Sequence, residues 1–368
     1  MSKALKDILL SLVGLGIGHG SVKDSRLTVH GPDSVDWMAV KALAEKQGLS
    51  AIVLDGLNKV HGEGLMVQGS MPQMLRLEWI GEVLQYEQRY AVYEKNIRDL
   101  AAFYRKHGIR MMVLKGYGMS RNYPIPNHRL CGDLDIYLFG DHERADKLIE
   151  KELGVNIDNS HHHHTVFQFQ GETVENHYDF LNVHHHKSNV ELEAILKDLG
   201  KDASYFVEVK GEKVYLPSAN LHALFLLRHS MSNFASTGFQ LRQLLDWAFF
   251  VEKHGEEIDW DWLESQLEHF GMKELYDVFN AICVEDLGFS VKLFPQVQFQ
   301  PQLKKRELND ILTPEFSEKE SGGLISHAVF KYRRWKANAW KHELCFNDSR
   351  WSAFWSGVWG HLMKPGMI

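Results

Sequence analysis

Two short apolar runs, each tied to polar chemistry, constrain this chain more than any other feature. Val113-Leu114 leads into Lys115-Gly116-Tyr117-Gly118, and Arg129 and Asp133 precede Leu134-Asp135-Ile136-Tyr137-Leu138 after a helix-length gap. The first run reads as a strand entering a glycine turn that opens a helix over Gly116 to Arg121. The second reads as a strand, Asp133 to Phe139, carrying two carboxylates. Between them, the two prolines of Tyr123-Pro124-Ile125-Pro126-Asn127 force a loop. Side chains two apart on a strand share a face. Asp133 and Asp135 therefore project together, with Leu134 and Ile136 turned to the opposite side. Carboxylates held that close repel unless a cation lies between them. The pattern predicts a divalent metal beside bound phosphates.

The chain has 368 residues, 44% of them hydrophobic. That is enough for one large or two medium domains with a sizeable core. A net charge of −7 argues against a general nucleic-acid-binding surface. Cys131, Cys283 and Cys345 are too scattered for a disulfide framework or a CxxC metal pair, which predicts a reducing, cytoplasmic setting. The apolar stretch Ile8 to Leu15 is too short to span a bilayer, and no other stretch reads as a transmembrane segment. The glycines from Gly14 to Gly20 lack GxGxxG spacing and no βαβ frame follows them, so they do not read as a dinucleotide loop.

The rest of the chain divides by periodicity into three regions: residues 1–108 helical, 109–216 a mixed α/β core, 217–368 helical. Apolar residues at helical spacing mark Asp36 to Gln47 and a long helix from Met71 to His107 ended by Gly108. Ile109 to Leu114 reads as a strand, Asp141 to Leu153 as a helix, and His164 to Gln170 with Thr173 to Phe180 as a hairpin around Gly171-Glu172. Helices are expected over Ser218 to Ser230, Gly238 to His254, Asp259 to Phe270, Lys273 to Leu287, Gly323 to Phe346 and Ser349 to Met363. Phe294 to Pro314, rich in breakers, reads as an irregular excursion.

Leu114-Lys115-Gly116, Tyr123-Pro124, Arg129, Asp133-Leu134-Asp135 and Val174-Glu175-Asn176-His177-Tyr178 occur in that order. Downstream come Leu221-His222, His229 and Leu241-Arg242-Gln243-Leu244-Leu245-Asp246. This series resembles the DNA-polymerase-β-like nucleotidyltransferase superfamily, and within it a poorly characterised bacterial branch in which Leu-Lys-Gly replaces the usual Gly-Ser signature. The resemblance is good from about Asn96 to Phe250 and looser at both ends. It implies an α+β fold: a minimal nucleotidyltransferase core with a short mixed sheet, flanked by N- and C-terminal helical regions. It also implies transfer of a nucleoside monophosphate from a nucleoside triphosphate to a hydroxyl acceptor, with Mg²⁺ or Mn²⁺ as cofactor. The acceptor, a small molecule, a protein or an RNA end, does not come with the motif.

The residue types suit that chemistry. In-line attack on the α-phosphorus expels pyrophosphate, and two ions roughly 3.5–4 Å apart stabilise the attacking and leaving oxygens. By resemblance, Asp133, Asp135 and Glu175 are the catalytic metal ligands. Gly116 lets backbone N–H groups approach phosphate, Lys115 offsets its charge and Arg129 grips an oxygen. Ser120, His177, Arg242 and Asp246 complete the expected substrate-binding set. One departure stands out: Tyr117 occupies the position where the superfamily places Gly or Ser, and Ser120 is the nearest hydroxyl along the chain. That departure motivates the alternative, a non-catalytic nucleotide-binding or interaction protein on the same scaffold.

Plainer readings stand beside these. Asp179 shares the predicted strand face of Glu175 and rivals it as third acid. Arg129 also reads as a structural partner of Asp133 or Asp135. Arg242 and Asp246 are spaced for an i,i+4 ion pair. His161 to His164 and His184 to His186 read as a solvated loop, because consecutive strand residues alternate faces; a zinc hydrolase built on them is the competing possibility. Trp351, Trp355 and Trp359 recur along one helix face next to a basic, aromatic stretch from Phe330 to Lys341, and read as core packing rather than a nucleic-acid or membrane surface.

Overall fold

The computed structural model describes residues 2–20, 35–62, 71–184, 186–236, 238–295, 298–314 and 324–363. The N-terminal helices are α1 (Lys3–Ile17), α2 (Trp37–Lys46), α3 (Ser50–Gly62) and the long α4 (Gln73–Lys106). The centre comprises β1 (Met112–Val113), α5 (Gly116–Ser120), β2 (Leu134–Tyr137), α6 (His142–Leu148), β3 (His164–Phe169), β4 (Glu172–His177), α7 (Lys187–Leu199), β5 (Phe206–Val209) and β6 (Glu212–Tyr215). Helices α8 (Ala219–Ala235), α9 (Leu241–His254), α10 (Trp260–His269), α11 (Lys273–Glu285), α12 (Pro301–Leu312), α13 (Leu324–Ala337), α14 (Ala339–Cys345) and α15 (Arg350–Met363) follow. This is a mixed α/β protein in which a six-stranded sheet is set among helices, as the α+β expectation requires.

The strands run in the order β3-β4-β2-β1-β6-β5. β1 pairs antiparallel with β2 and parallel with β6, and β2 pairs parallel with β4. Both outer hairpins, β3–β4 and β5–β6, turn on two residues, Gln170-Gly171 and Lys210-Gly211. All four of those residues have positive φ, which is the twist a tight antiparallel hairpin needs. The first turn therefore lies one residue earlier than the expected Gly171-Glu172. The β5–β6 hairpin and α7 were not anticipated.

Period-two alternation splits the sheet into two environments. Leu134, Ile136 and Val174 join Tyr93, Ile97 and Leu100 of α4 in one buried cluster. Tyr137, on the opposite face, joins a second cluster that runs from α1–α3 through α8–α11. Asp135, Glu175 and His177 share that second face, beneath α8 and α9. Helices α1 and α3 cross backbone to backbone. A Cβ on Gly16 would lie 2.0 Å from the Ile52 carbonyl oxygen, and one on Gly56 2.0 Å from that of Leu12. The N-terminal glycine run thus serves helix packing.

Two expectations about the C-terminal half need correction. The stretch taken as irregular contains α12: Pro301 sits at the first helical position, where its missing N–H costs nothing, and Leu308, Ile311 and Leu312 bury one face. Of the tryptophans expected to pack in the core, Trp351 and Trp355 do not. The two are 56% and 62% exposed. Trp351 meets Trp335 of α13 at 4.9 Å between ring centroids. The Trp359 side chain lies outside the described residues.

α12 also buries Glu307, which is 0% exposed, with neither carboxyl oxygen hydrogen-bonded among the described residues. Burial, reinforced by Glu274 and Asp310, pushes this carboxyl up to about 9. Between the unfolded value near 4.5 and that level, the unfolded chain releases a proton that the folded one keeps. Stability must therefore fall as pH rises through this window, by at most about 1.4 kcal/mol per pH unit. Thermal unfolding from pH 5 to pH 8 checks this: Glu307→Gln should remove that slope, and an unchanged slope would refute it.

Candidate active site

The functional side chains converge because of strand register. Asp135 of β2 lies directly beside Glu175 of β4, and Tyr137 beside His177. Asp133 precedes β2 by one residue and opens onto the same cleft. The cleft, a cavity of about 530 Å³, is lined by Lys115, Gly116, Asp133, Asp135 and Glu175 on the sheet side. His229 and Asn233 of α8 and Arg242 and Asp246 of α9 face them.

Asp135 is the electrostatic centre. Its Oδ1 accepts from Lys115 Nζ at 2.8 Å and from His177 Nε2 at 3.1 Å. Burial opposes ionisation of Asp135, but the Lys115 and His177 charges outweigh it and hold the carboxyl well below the usual carboxylate range. Asp133 goes the other way: burial, then the negative charges of Glu175 and Asp135, push its carboxyl up. This is the mark of crowded acids that an added cation would relieve. Glu175 Oε2 lies 3.4 Å from His177 Nε2, and Oε1 lies 3.8 Å from His164 Nε2. Donor atoms of Asp135, Glu175 and His177 all fall within 4.8 Å of one another, close enough to hold one ion. The donor set therefore fits a divalent metal, with an imidazole beside the expected oxygens.

Gly116 lines the cleft. Gly116 has φ +42°, and a Cβ there would meet the Tyr93 hydroxyl at 2.9 Å. Tyr93 donates to the Asp133 carbonyl at 3.0 Å, tying α4 to the start of β2. Tyr117, whose ring would have blocked an anion, points away from the cleft; its hydroxyl donates to Glu94 at 3.0 Å and accepts from Arg121 at 3.2 Å. α5 has only five residues, so it presents no long helix dipole to the cleft.

Several expected site residues have other occupations. Ser120 is 0% exposed and outside the cleft, its hydroxyl shared between Tyr90 Oη at 2.8 Å and the Tyr117 carbonyl at 2.7 Å. It is not placed to touch phosphate. Arg129 pairs with neither Asp133 nor Asp135. It forks onto Asp246, Nε to Oδ1 at 3.0 Å and Nη2 to Oδ2 at 2.7 Å. Tyr123 donates to the same Asp246 carboxylate at 2.7 Å. Arg242 lies 3.8 Å from Asp246, a looser i,i+4 partner. Asp179 falls beyond the end of β4 and pairs with Lys197.

The histidine tract is the main feature that sequence reasoning misjudged. His164 begins β3 and is 6% exposed, its ring 5.1 Å from that of His177. His163 sits just before the strand and also reaches His177, with ring centroids 5.5 Å apart. The alternation rule fails for His163 because it is not yet in the strand; its carbonyl accepts from both Tyr178 and Asp179 N–H groups at 3.1 Å. Burial, then the neighbouring His177 and His164, lowers the His163 imidazole to about 2. On the other wall, burial followed by Lys115 lowers His229 to about 3, so its ring faces the cleft uncharged. The repeated histidines were visible in the sequence; their burial was not.

The comparison with curated proteins found no match. Among solved structures it is similar to an antigenic nucleotidyltransferase-like protein from Paracoccidioides brasiliensis, at 16% identity and a TM-score of 0.34, over 48% of this chain and 85% of that one. Among the described residues no helix is long and apolar enough to cross a membrane. A family model described as "Uncharacterised nucleotidyltransferase" matches residues 33–286, which include the whole sheet and both walls of the cleft, and the chain belongs to that nucleotidyltransferase family.

Proposed function

We propose that this chain transfers a nucleoside monophosphate from a nucleoside triphosphate to a hydroxyl acceptor, using Mg²⁺ or Mn²⁺ held by Asp133, Asp135 and Glu175. The observation that carries the reading is the pairing of Asp135 with Glu175 across β2 and β4, in a cleft that also holds Asp133, Lys115 and the Gly116 corner. When bound, the metal would polarise the α-phosphate and lower the pKa of the acceptor hydroxyl. The chain's own residues do the rest. The Gly116 corner offers backbone N–H groups to the phosphates, and Lys115 is within reach to exchange its Asp135 contact for a phosphate oxygen. Lys46, Arg129 and Arg242 line the same cleft and offset polyphosphate charge. The acceptor oxygen forms a bond to the α-phosphorus as the bond to the bridging oxygen breaks. Pyrophosphate leaves with the electron pair, and the hydroxyl proton passes to solvent.

The test is a screen of the four α-labelled ribonucleoside triphosphates with Mg²⁺ or Mn²⁺ against small-molecule, protein and RNA acceptors. Pyrophosphate release coupled to label transfer is expected, and it should be lost in Asp133→Asn. The Lys115–Asp135 contact favours the competing reading, since an ammonium already neutralises the central carboxylate. Nucleotide binding that is equally tight without metal, with no turnover on any acceptor, would establish that reading instead.

A further inference from the structure

The acidic cluster has a nitrogen-rich back wall. One ring nitrogen from each of His163, His164 and His177 lies within 4.8 Å of the other two. Ring centroids are 4.3 Å apart for His163 and His164, 5.5 Å for His163 and His177, and 5.1 Å for His164 and His177. His163 Nδ1 and both ring nitrogens of His164 are buried without a hydrogen-bond partner among the described residues. A buried polar group left unsatisfied is costly, and since the two nitrogens of one imidazole diverge, one nitrogen from His163 and one from His164 can meet a common occupant. His177 Nε2 donates to Asp135 Oδ1 at 3.1 Å and would release that hydrogen on taking an ion. Its Nδ1 faces the Asp179 carbonyl at 3.2 Å, which can only accept, so Nδ1 carries a second hydrogen and Nε2 points inward. Glu175 completes the wall, with one oxygen 3.8 Å from His164 Nε2 and the other 3.4 Å from His177 Nε2.

We propose that His163, His164 and His177, with Glu175 as a carboxylate fourth ligand, form a binding site for a first-row transition-metal ion of the zinc type. Imidazole nitrogens suit Zn²⁺ and its neighbours, whereas Mg²⁺ prefers oxygen. Bonds of about 2.0 Å around a tetrahedral ion put ligand atoms roughly 3.3 Å apart, a contraction that modest side-chain rotations supply. Glu175 would then stand between this ion and the oxygen-rich position at Asp133 and Asp135, making the centre asymmetric. The proposal goes beyond nucleotidyl transfer and does not need it, since the ligands are imidazoles and the test reads the metal.

The full chain, stripped with a chelator and dialysed, is titrated with Co²⁺ as a spectroscopic probe. One Co²⁺ per chain is expected, with visible d–d bands intense enough to mark four- or five-coordination. Zn²⁺ should displace it and millimolar Mg²⁺ should not. His163→Gln and His164→Gln should each weaken Co²⁺ binding at least about 100-fold, more than loss of an outer-shell partner. Asp133→Asn should keep the bands, and so should a His161→Gln/His162→Gln double variant, which controls for binding by the half-buried histidines that precede the site. If His164→Gln does not fold, as judged by circular dichroism, His163→Gln decides, because His163 precedes the strand. Weak octahedral bands, no Co²⁺ uptake, or binding indifferent to both His163 and His164 would overturn the proposal. Cobalt binding as described without nucleotide turnover would sink only the transfer reading; turnover without His-dependent cobalt would sink only this one.

Discussion

Asp135→Asn is expected to lower nucleotidyl transfer by about 10³-fold or more, roughly 4 kcal/mol of transition-state stabilisation. The substitution keeps the shape of the side chain and removes the charge on which the site is organised. Asp135 is the one carboxylate in contact with both Lys115 and His177, at 2.8 and 3.1 Å, and the one paired in register with Glu175. An amide is a poor metal ligand beside a carboxylate, and it leaves the Lys115 ammonium without its buried counter-charge. Some loss of stability must accompany the change, about 1–3 kcal/mol for a buried partner removed. Circular dichroism and thermal unfolding therefore have to be read beside the rate. A folded Asp135→Asn protein that retains activity within tenfold of the parent would remove the carboxylate from the mechanism, and the metal assignment with it.

The sequence revealed this part of the molecule because the relevant physics is local. Asp133 and Asp135 two apart, with apolar neighbours between and after, read as a strand with its acids on one side, although β2 begins at Leu134 and is buried throughout. Glu175 was expected as the third acid by resemblance, with Asp179 as its rival on the same predicted strand face, and the parallel β2–β4 pairing brings Glu175 beside Asp135. What escaped was non-local or turned on burial. Arg129 and Asp246 are 117 residues apart, and nothing in either segment says that they meet. His163 and His164 carry the composition of a solvated loop, and only the fold turns them inward against His177. α12 was lost to a different error. Prolines between 294 and 314 were read as breakers, although Pro301 marks a helix start, where its fixed φ is suited. The β5–β6 hairpin carried a sound signal, Lys210-Gly211 between alternating residues, that went unused.

Separating Arg129 from Asp246 is expected to cost more stability than any other single change in the cleft. The two are 5% and 3% exposed, forked together at 3.0 and 2.7 Å, and they tie the loop before β2 to α9. Desolvation of Arg129 works against its charge and Asp246 more than offsets it; in turn Arg129 overcomes burial to hold the Asp246 carboxyl below its ordinary range. Removing one partner strands the other in a low-dielectric site, at about 3–5 kcal/mol. For a chain of this length that corresponds to a fall in Tm of about 5 °C. Asp246→Ala should show the whole deficit at neutral pH. Because the folded Asp246 carboxyl is lowered, its contribution is intact above the unfolded carboxylate range and is lost as pH falls through the folded value. The gap between parent and variant should therefore close in acid. Replacing both partners, Arg129→Met with Asp246→Leu, should be less destabilising than either single change, since neither charge of the fork is stranded and only the looser Arg242 contact at 3.8 Å is lost. That double variant also separates two roles that the geometry combines. If the pair only braces the cleft, the refolded wall should bind nucleoside triphosphate nearly as well as the parent; if Arg129 also faces phosphate, KM should rise while Tm recovers. Additive losses in the double variant would mean that the two side chains do not depend on each other, and the bracing argument would fail.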